Sequence, residues 1–235
     1  MLDVCVLLPA RDESMALPLV LADLPRQGDG WRITRILVVD NGSRDDTARV
    51  AREAGGEVVS EPIAGYGRAC LTGIAVLRRA PPDIVVFLDA DHSDDPRDVH
   101  RLLAPLVQQR AELVIGSRVL GRREAGAFTP VQAFGNWLAP ALVRALWGVR
   151  VTDLGPFRAI RWPALVALDM QDQDFGWTVE MQAKAAARRV AMVEVPVSYR
   201  RRRHGRSKIA GTLTGAVRAG GKILWTIAAV RWGRN

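Results

Sequence analysis

Four short apolar runs, at residues 4–8, 36–39, 84–88 and 113–115, constrain this chain most tightly. None of them contains a polar residue. A strand with one wet face alternates polar and apolar positions, whereas a strand covered on both faces reads as a continuous apolar run. Such strands belong to mainly parallel sheets packed between helices. The segments between them, at residues 17–24, 46–54, 67–79 and 96–109, carry helical spacing, and a weaker strand is expected at 57–60. This succession predicts an α/β fold with a Rossmann-like, doubly wound sheet, whose ligands bind beyond the carboxyl ends of the strands.

The second half reads differently. Helices are expected at 134–147 and 179–188 and a strand at 191–197, with loops rich in Gly, Arg and Asp between them. No internal repeat, linker or clean boundary appears, so 235 residues are read as one domain. The net charge of +8 is carried by arginine, because only Lys184, Lys208 and Lys222 are lysines. Such basicity favours anionic partners: nucleic acid, a membrane surface or a phosphorylated small molecule. Cys5 and Cys70 are too few for a disulfide framework and lack zinc-site spacing, and His92, His100 and His204 are scattered. Neither a signal peptide nor a membrane span is expected, since the longest candidate in the C-terminal stretch covers only residues 223–230. The expected setting is reduced and cytoplasmic.

Acids mark three of the strand ends. The run at 84–88 leads into Asp89-Ala90-Asp91, the run at 36–39 into Asp40-Asn41-Gly42-Ser43, and the first strand into Pro9-Ala10-Arg11-Asp12-Glu13. Two carboxylates two residues apart at a sheet edge can hold a hard divalent ion that bridges phosphate oxygens. A solvated acidic turn is the competing explanation for Asp89 and Asp91, but it leaves the other two strand ends unexplained. Asp45, Asp46 and Thr47 are expected to satisfy backbone N–H groups at a helix start. Gly65-Tyr66-Gly67 resembles the opening of a dinucleotide fingerprint, yet Cys70 stands at the third glycine position and the strand context fails.

Taken together, Leu8-Pro9-Ala10-Arg11-Asp12-Glu13, Val39-Asp40-Asn41-Gly42-Ser43 and Asp89-Ala90-Asp91 resemble family 2 glycosyltransferases of the GT-A fold. Thr152-Asp153-Leu154-Gly155-Pro156-Phe157-Arg158-Ala159 and Gly205-Arg206-Ser207-Lys208 are similar to the polyprenyl-phosphate hexosyltransferase branch, the dolichyl-phosphate mannose synthase-like enzymes. The resemblance implies a nucleotide-sugar half to about residue 120, an acceptor half over 121–199, and a basic loop and terminal helix over 200–235. It implies that Pro9, Arg11, Glu13, Asp40, Asp89 and Ala90 line the nucleotide pocket, and that Asp91, with Asp89, ligates Mg²⁺ or Mn²⁺ on the diphosphate. Arg118 matches an arginine near the donor, and Arg202 and Lys208 match cations that close over the leaving diphosphate. A metal and fixed cations there would stabilise developing negative charge. Arg206 departs from the family pattern. Asp153 and Arg158 fall in the stretch placed near the acceptor, where Arg158 could clamp a phosphate or could belong to a buried structural ion pair. Glu180 is the second-half carboxylate best suited to position an acceptor or take a proton.

The reaction so implied is inverting, metal-dependent transfer of a hexose from a UDP- or GDP-sugar to a polyprenyl phosphate. A soluble hydroxyl or phosphate acceptor is the alternative, and a metal-dependent nucleotidyltransferase a more distant one. Nucleic acid is not an expected partner, because no recognition motif or aromatic series accompanies the basic run at 200–206. The C-terminal stretch puts Ile209, Leu213, Val217, Leu224 and Ile227 on one helical face and Arg218 and Lys222 opposite, flanked by Trp225 and Trp232. That pattern fits either a packed core helix or a helix resting peripherally on an anionic membrane.

Overall fold

The computed structural model describes residues 1–128, 130–203 and 213–233, with backbone alone for 130–132 and 213–219. Along the chain come β1 (Leu2–Ala10), α1 (Leu17–Asp23), β2 (Gln27–Gly28), β3 (Trp31–Asp40), α2 (Thr47–Glu53), β4 (Glu57–Ser60), α3 (Tyr66–Leu77) and β5 (Ile84–Phe87). A 3-10 turn, Pro96–Asp98, then leads into α4 (Val99–Val107) and β6 (Leu113–Ser117). The remainder comprises α5 (Pro130–Trp147), β7 (Arg158–Arg161), α6 (Trp162–Leu168), α7 (Trp177–Ala187), β8 (Met192–Pro196) and α8 (Leu213–Arg231).

One sheet runs β2-β3-β1-β5-β7-β6-β8, with β4 beside the carboxyl half of β3. The pairings of β1, β3, β4, β5, β6 and β8 with one another are parallel, and β2 and β7 are antiparallel. The apolar runs explain the layering. Successive side chains of a strand point to opposite faces, so Val4, Val6 and Leu8 enter one core while Cys5 and Leu7 enter the other. Ile36 and Val38 separate from Leu37 and Val39 in the same way, and Ile84 and Val86 from Val85 and Phe87. The first core is closed by α1, α2 and α4, the second by α3, α6 and α7.

Sequence periodicity did not reveal β7 or α6. The strand is four residues long with an arginine at each end, Arg158 and Arg161. Its antiparallel insertion pairs Arg158 with Phe87 and with Ile115, which brings Arg158 to the edge where the parallel strands end. The terminal helix also differs from its expected faces. Leu224 is exposed whereas Ile227 is buried, and Lys222 turns inward to bridge Asp172 at 2.8 Å. Ile209 lies outside the described residues, as do the side chains of Leu213, Val217 and Arg218. No helix among the described residues is long and apolar enough to cross a membrane.

Packing between α3 and the sheet is tight at Gly73, where an added Cβ would collide with the Leu7 side chain. Gly73→Ala is therefore expected to destabilise by about 1–3 kcal/mol through overpacking, and Leu7→Ala by about 2–5 kcal/mol through a cavity. In the double variant the extra methyl occupies part of that cavity, so denaturant titrations should give a loss smaller than the sum of the two. Strict additivity would contradict the contact.

Candidate functional site

The turns after β1 and β3 are locked together. Asp12 sits in the left-handed region at φ 52°, its N–H donating to Ser43 Oγ (3.0 Å) while its carboxylate accepts from the Arg44 N–H (2.7 Å). The Glu13 N–H donates to Thr47 Oγ1 (2.8 Å) and the Ser14 N–H to Asp45 (3.1 Å). Burial works against ionised Asp45, but hydrogen bonds from Thr47 and Ser14 outweigh it and hold its carboxyl below the usual range. Asp40 accepts from the Ser43 N–H (3.2 Å). Asn41 is spent on structure: its amide donates to the Glu61 and Ile63 carbonyls, and its oxygen accepts from the Gly65 N–H.

The third turn carries Asp89 and Asp91. Asp91 Oδ1 accepts from the Ser93 N–H at 2.9 Å, and His92, at φ 60°, reaches Asp23 through Nε2 at 3.0 Å. Ala90, between the two acids, is buried in the core. Asp89 Oδ1 is buried without a hydrogen-bond partner. Burial, reinforced by the Asp91 charge, pushes the Asp89 carboxyl up to about 7.

The segment after β8 folds back over this turn, with the Arg200 N–H on the Ser93 carbonyl and the Asp95 N–H on the Ser198 carbonyl. Arg200 and Arg97 both pair with Asp95. Arg202 is thereby delivered to the centre, where its guanidinium bridges Glu13 and Asp91, the latter at 3.4 Å. Lys208 and Arg206 lie outside the described residues.

The remaining expected residues are placed differently from one another. Arg118 and Asp153 come together as a buried two-pronged pair, at 2.9 and 2.7 Å, with the Arg118 N–H also on Asp153 (2.6 Å). The Arg118 guanidinium lies over the rings of Phe128 and Tyr199, 4.6 and 4.9 Å from their centroids. Arg158 is fully buried and donates to the backbone carbonyls of Leu154, Gly155 and Thr178. Burial pulls it down to about 10, so it remains a cation held by peptide oxygens. Its donors are directed at those carbonyls, and no ion pair of Arg158 with a carboxylate is seen among the described residues. Glu180 is buried too: it accepts from the Gln171 and Asp172 N–H groups and pairs with Lys184 at 2.7 Å.

Asp94 is the residue that sequence reasoning missed. It is 1% exposed, and neither carboxylate oxygen has a hydrogen-bond partner. Burial drives its carboxyl well above the usual range, opposed by Arg118 and reinforced by Asp89 and Asp91. In the sequence it is one of two acids before Pro96, a pattern that reads as a helix start; Asp95 fills that role, accepting from the Arg97 N–H. Trp177 Nε1 is likewise buried and unpartnered, and the buried Tyr66 hydroxyl lies beside Asp89.

The edge thus concentrates Glu13, Asp89, Asp91 and Asp94 in a largely buried setting. Hard carboxylate oxygens without donors suit a divalent cation, and Asp89 Oδ1 fits that test. Among the described residues no group of three or more His, Cys, Asp or Glu could encircle a metal alone. A cation held here would take further oxygens from a bound ligand or water.

The model of "Glycosyl transferase family 2" matches residues 5–167. An uncharacterized glycosyltransferase of Mycobacterium bovis is 40% identical over 215 residues, covering 91% of this chain and 93% of that protein. A polyprenol monophosphomannose synthase of Mycolicibacterium smegmatis is 30% identical over 230 residues, covering 88% and 81%. In fold, the chain resembles glucosyl-3-phosphoglycerate synthase from Mycobacterium tuberculosis, solved with Mn²⁺, UDP-glucose and phosphoglyceric acid. That match has a TM-score of 0.77 at 23% identity and covers 98% of this chain and 80% of the other.

With Asp89 raised to about 7, the folded state binds more protons than the unfolded state between the two pKa values. Stability in the presence of chelator should therefore fall as pH rises from about 4 to about 7, by up to about 4 kcal/mol from this group. Subtracting the pH profile of Asp89→Asn from that of the wild type should isolate the slope in urea titrations. A difference that is flat or rises with pH would contradict the burial of this charge.

Proposed function

We propose what this enzyme transfers, and to what, from an established starting point: the chain belongs to glycosyltransferase family 2 and is a glycosyltransferase with the GT-A fold. The proposed reaction moves a hexose from a UDP- or GDP-sugar to a polyprenyl phosphate, with inversion at the anomeric carbon. An acceptor phosphate oxygen forms the new bond to that carbon as the bond to the nucleoside diphosphate breaks. The donor occupies the half up to about residue 120, and the acceptor approaches from the half that follows.

The observation that carries this proposal is the meeting of Asp89, Asp91, Glu13 and Arg202 at the carboxyl edge of the sheet. Pro9, Arg11, Glu13 and Asp40 border the nucleotide, with Asp40 set by its Ser43 contact to accept from a base or ribose. Asp89 and Asp91 would hold Mg²⁺ or Mn²⁺, which supplies Lewis-acid neutralisation of the leaving diphosphate. Arg202 supplies a fixed cation to the same oxygens, and Lys208, on sequence alone, a second. Arg118 and Asp153 are assigned to shaping the floor beside this centre rather than to separate donor and acceptor roles.

A phosphate acceptor is supported by the commitment of three acids in the acceptor half, Asp153, Glu180 and Glu194, to internal partners. A hydroxyl acceptor needs a base to remove its proton, whereas a phosphate is already ionised near neutral pH. Asp153 is paired with Arg118, Glu180 with Lys184, and Glu194 accepts from the Thr152 and Asp153 N–H groups. Similarity to the polyprenol monophosphomannose synthase supports the same acceptor.

Asp91→Asn should lower kcat/KM by at least about 1,000-fold, roughly 4 kcal/mol of transition-state stabilisation, with the thermal midpoint unchanged or raised. Mass spectrometry of the lipid fraction should find hexosyl polyprenyl phosphate formed by the wild type and not by the variant. Full turnover in Asp91→Asn would overturn the metal assignment. Transfer only to water-soluble phosphates would overturn the acceptor.

A further inference from the structure

Charge is distributed unevenly along this chain. Residues 125–152 and 195–235 hold 12 of its 33 basic residues and none of its 25 acidic ones, leaving 21 cations against 25 acids elsewhere. The entire positive excess therefore belongs to two segments far apart in sequence. The structure brings the helices of those segments together: α5 packs against α8, with Gly135 next to Ile223 and a shared small core of Ala139, Val179 and Ile227.

On their outer faces both helices expose large apolar side chains. Phe134 and Trp137 on α5 are 59% and 66% exposed and touch ring to ring, and Leu224, Trp225 and, just past the end of α8, Trp232 are 45%, 61% and 70% exposed. Every highly exposed tryptophan among the described residues lies in these two acid-free segments. The exposed Arg144 and Arg231 lie on the same two helices. A core helix would bury these rings, and a purely solvated face would not carry them. Aromatic rings with polar edges, on segments that carry arginine and no acidic residue of their own, match the interface of an anionic bilayer. A second copy of this chain would bring the same positive charge against itself, which disfavours that occupant.

We propose that the outer faces of α5 and α8 dock this enzyme on an anionic lipid surface. The surface deepens the lipid-phosphate acceptor proposed above and rests on it for its purpose, though not for its physical basis. The link to the site is short. The Asn136 amide on α5 donates to the Thr152 carbonyl, and its oxygen accepts from the Leu154 N–H, so the docking helix holds both neighbours of Asp153. A lipid phosphate in the outermost layer of the bilayer would meet the acceptor half directly.

Flotation with vesicles of phosphatidylcholine containing about one-third phosphatidylglycerol tests this. The full chain should float with them and not with pure phosphatidylcholine, and binding should weaken about tenfold or more as salt rises from about 50 to about 500 mM. Trp137→Ala with Trp225→Ala, and separately Arg144→Glu with Arg231→Glu, should each reduce binding about tenfold or more while circular dichroism stays native. If the tryptophan pair misfolds, the charge pair still decides. Binding that ignores both pairs, or equal flotation with neutral vesicles, overturns the surface; so does a concentration-dependent dimer abolished by the same substitutions. Glycosylation of detergent-dispersed polyprenyl phosphate without vesicle binding would sink the docking surface and leave the acceptor standing. Vesicle binding with transfer only to soluble phosphates would do the reverse.

Discussion

Burial of β1 on both faces is the constraint on which the rest depends. Val4, Cys5, Val6, Leu7 and Leu8 are all fully buried, and β1 is paired on both sides, by β3 and β5. A strand with no wet face and no free edge can only end at a layer boundary, so its polar continuation, Arg11-Asp12-Glu13, has to emerge at the sheet edge. The same holds for β3 and Asp40 and for β5 and Asp89. Parallel pairing then puts all three exits on one side of the molecule, and the acids meet because the apolar runs leave them nowhere else to go.

That meeting has an electrostatic cost. Asp89 and Asp94 are desolvated close to Asp91, and their carboxyls are raised accordingly. Within the described residues the compensation is arginine: Arg202 across Glu13 and Asp91, Arg118 against Asp153, and Arg200 and Arg97 on Asp95. Two of these, Arg200 and Arg202, come from the acid-free segment after β8. One basic stretch thus serves the negative centre, while Arg144 on α5 and Arg231 on α8 are exposed.

Much of this was legible in the sequence, and the exceptions have physical causes. Both-face burial leaves a continuous apolar run, so β1, β3, β5 and β6 could be read directly, and with them the three acid turns. Arg158 could not be placed, because a four-residue antiparallel strand leaves no periodicity and because an arginine's partners are invisible when they are peptide carbonyls. Glu180 looks available in the sequence because nothing there shows that Lys184, one helical turn on, is buried with it as its partner. Asp94 was hidden by its neighbour: Asp94 and Asp95 look alike in sequence, but Asp95 caps a turn through the Arg97 N–H while Asp94 is buried with neither carboxylate oxygen hydrogen-bonded. The faces of α8 were misjudged because helical periodicity gives a stripe but not which side of it meets the core.

The central claim is that Asp89 and Asp91 form a site for a nucleoside diphosphate carrying a divalent ion. Isothermal titration of the wild-type chain with UDP and with GDP, in Mn²⁺ and again in chelator, tests it most directly. One of the two nucleotides should bind at least about tenfold more tightly with Mn²⁺, a coupling of roughly 1.4 kcal/mol or more. Equal affinity for both nucleotides with and without the ion would contradict the claim.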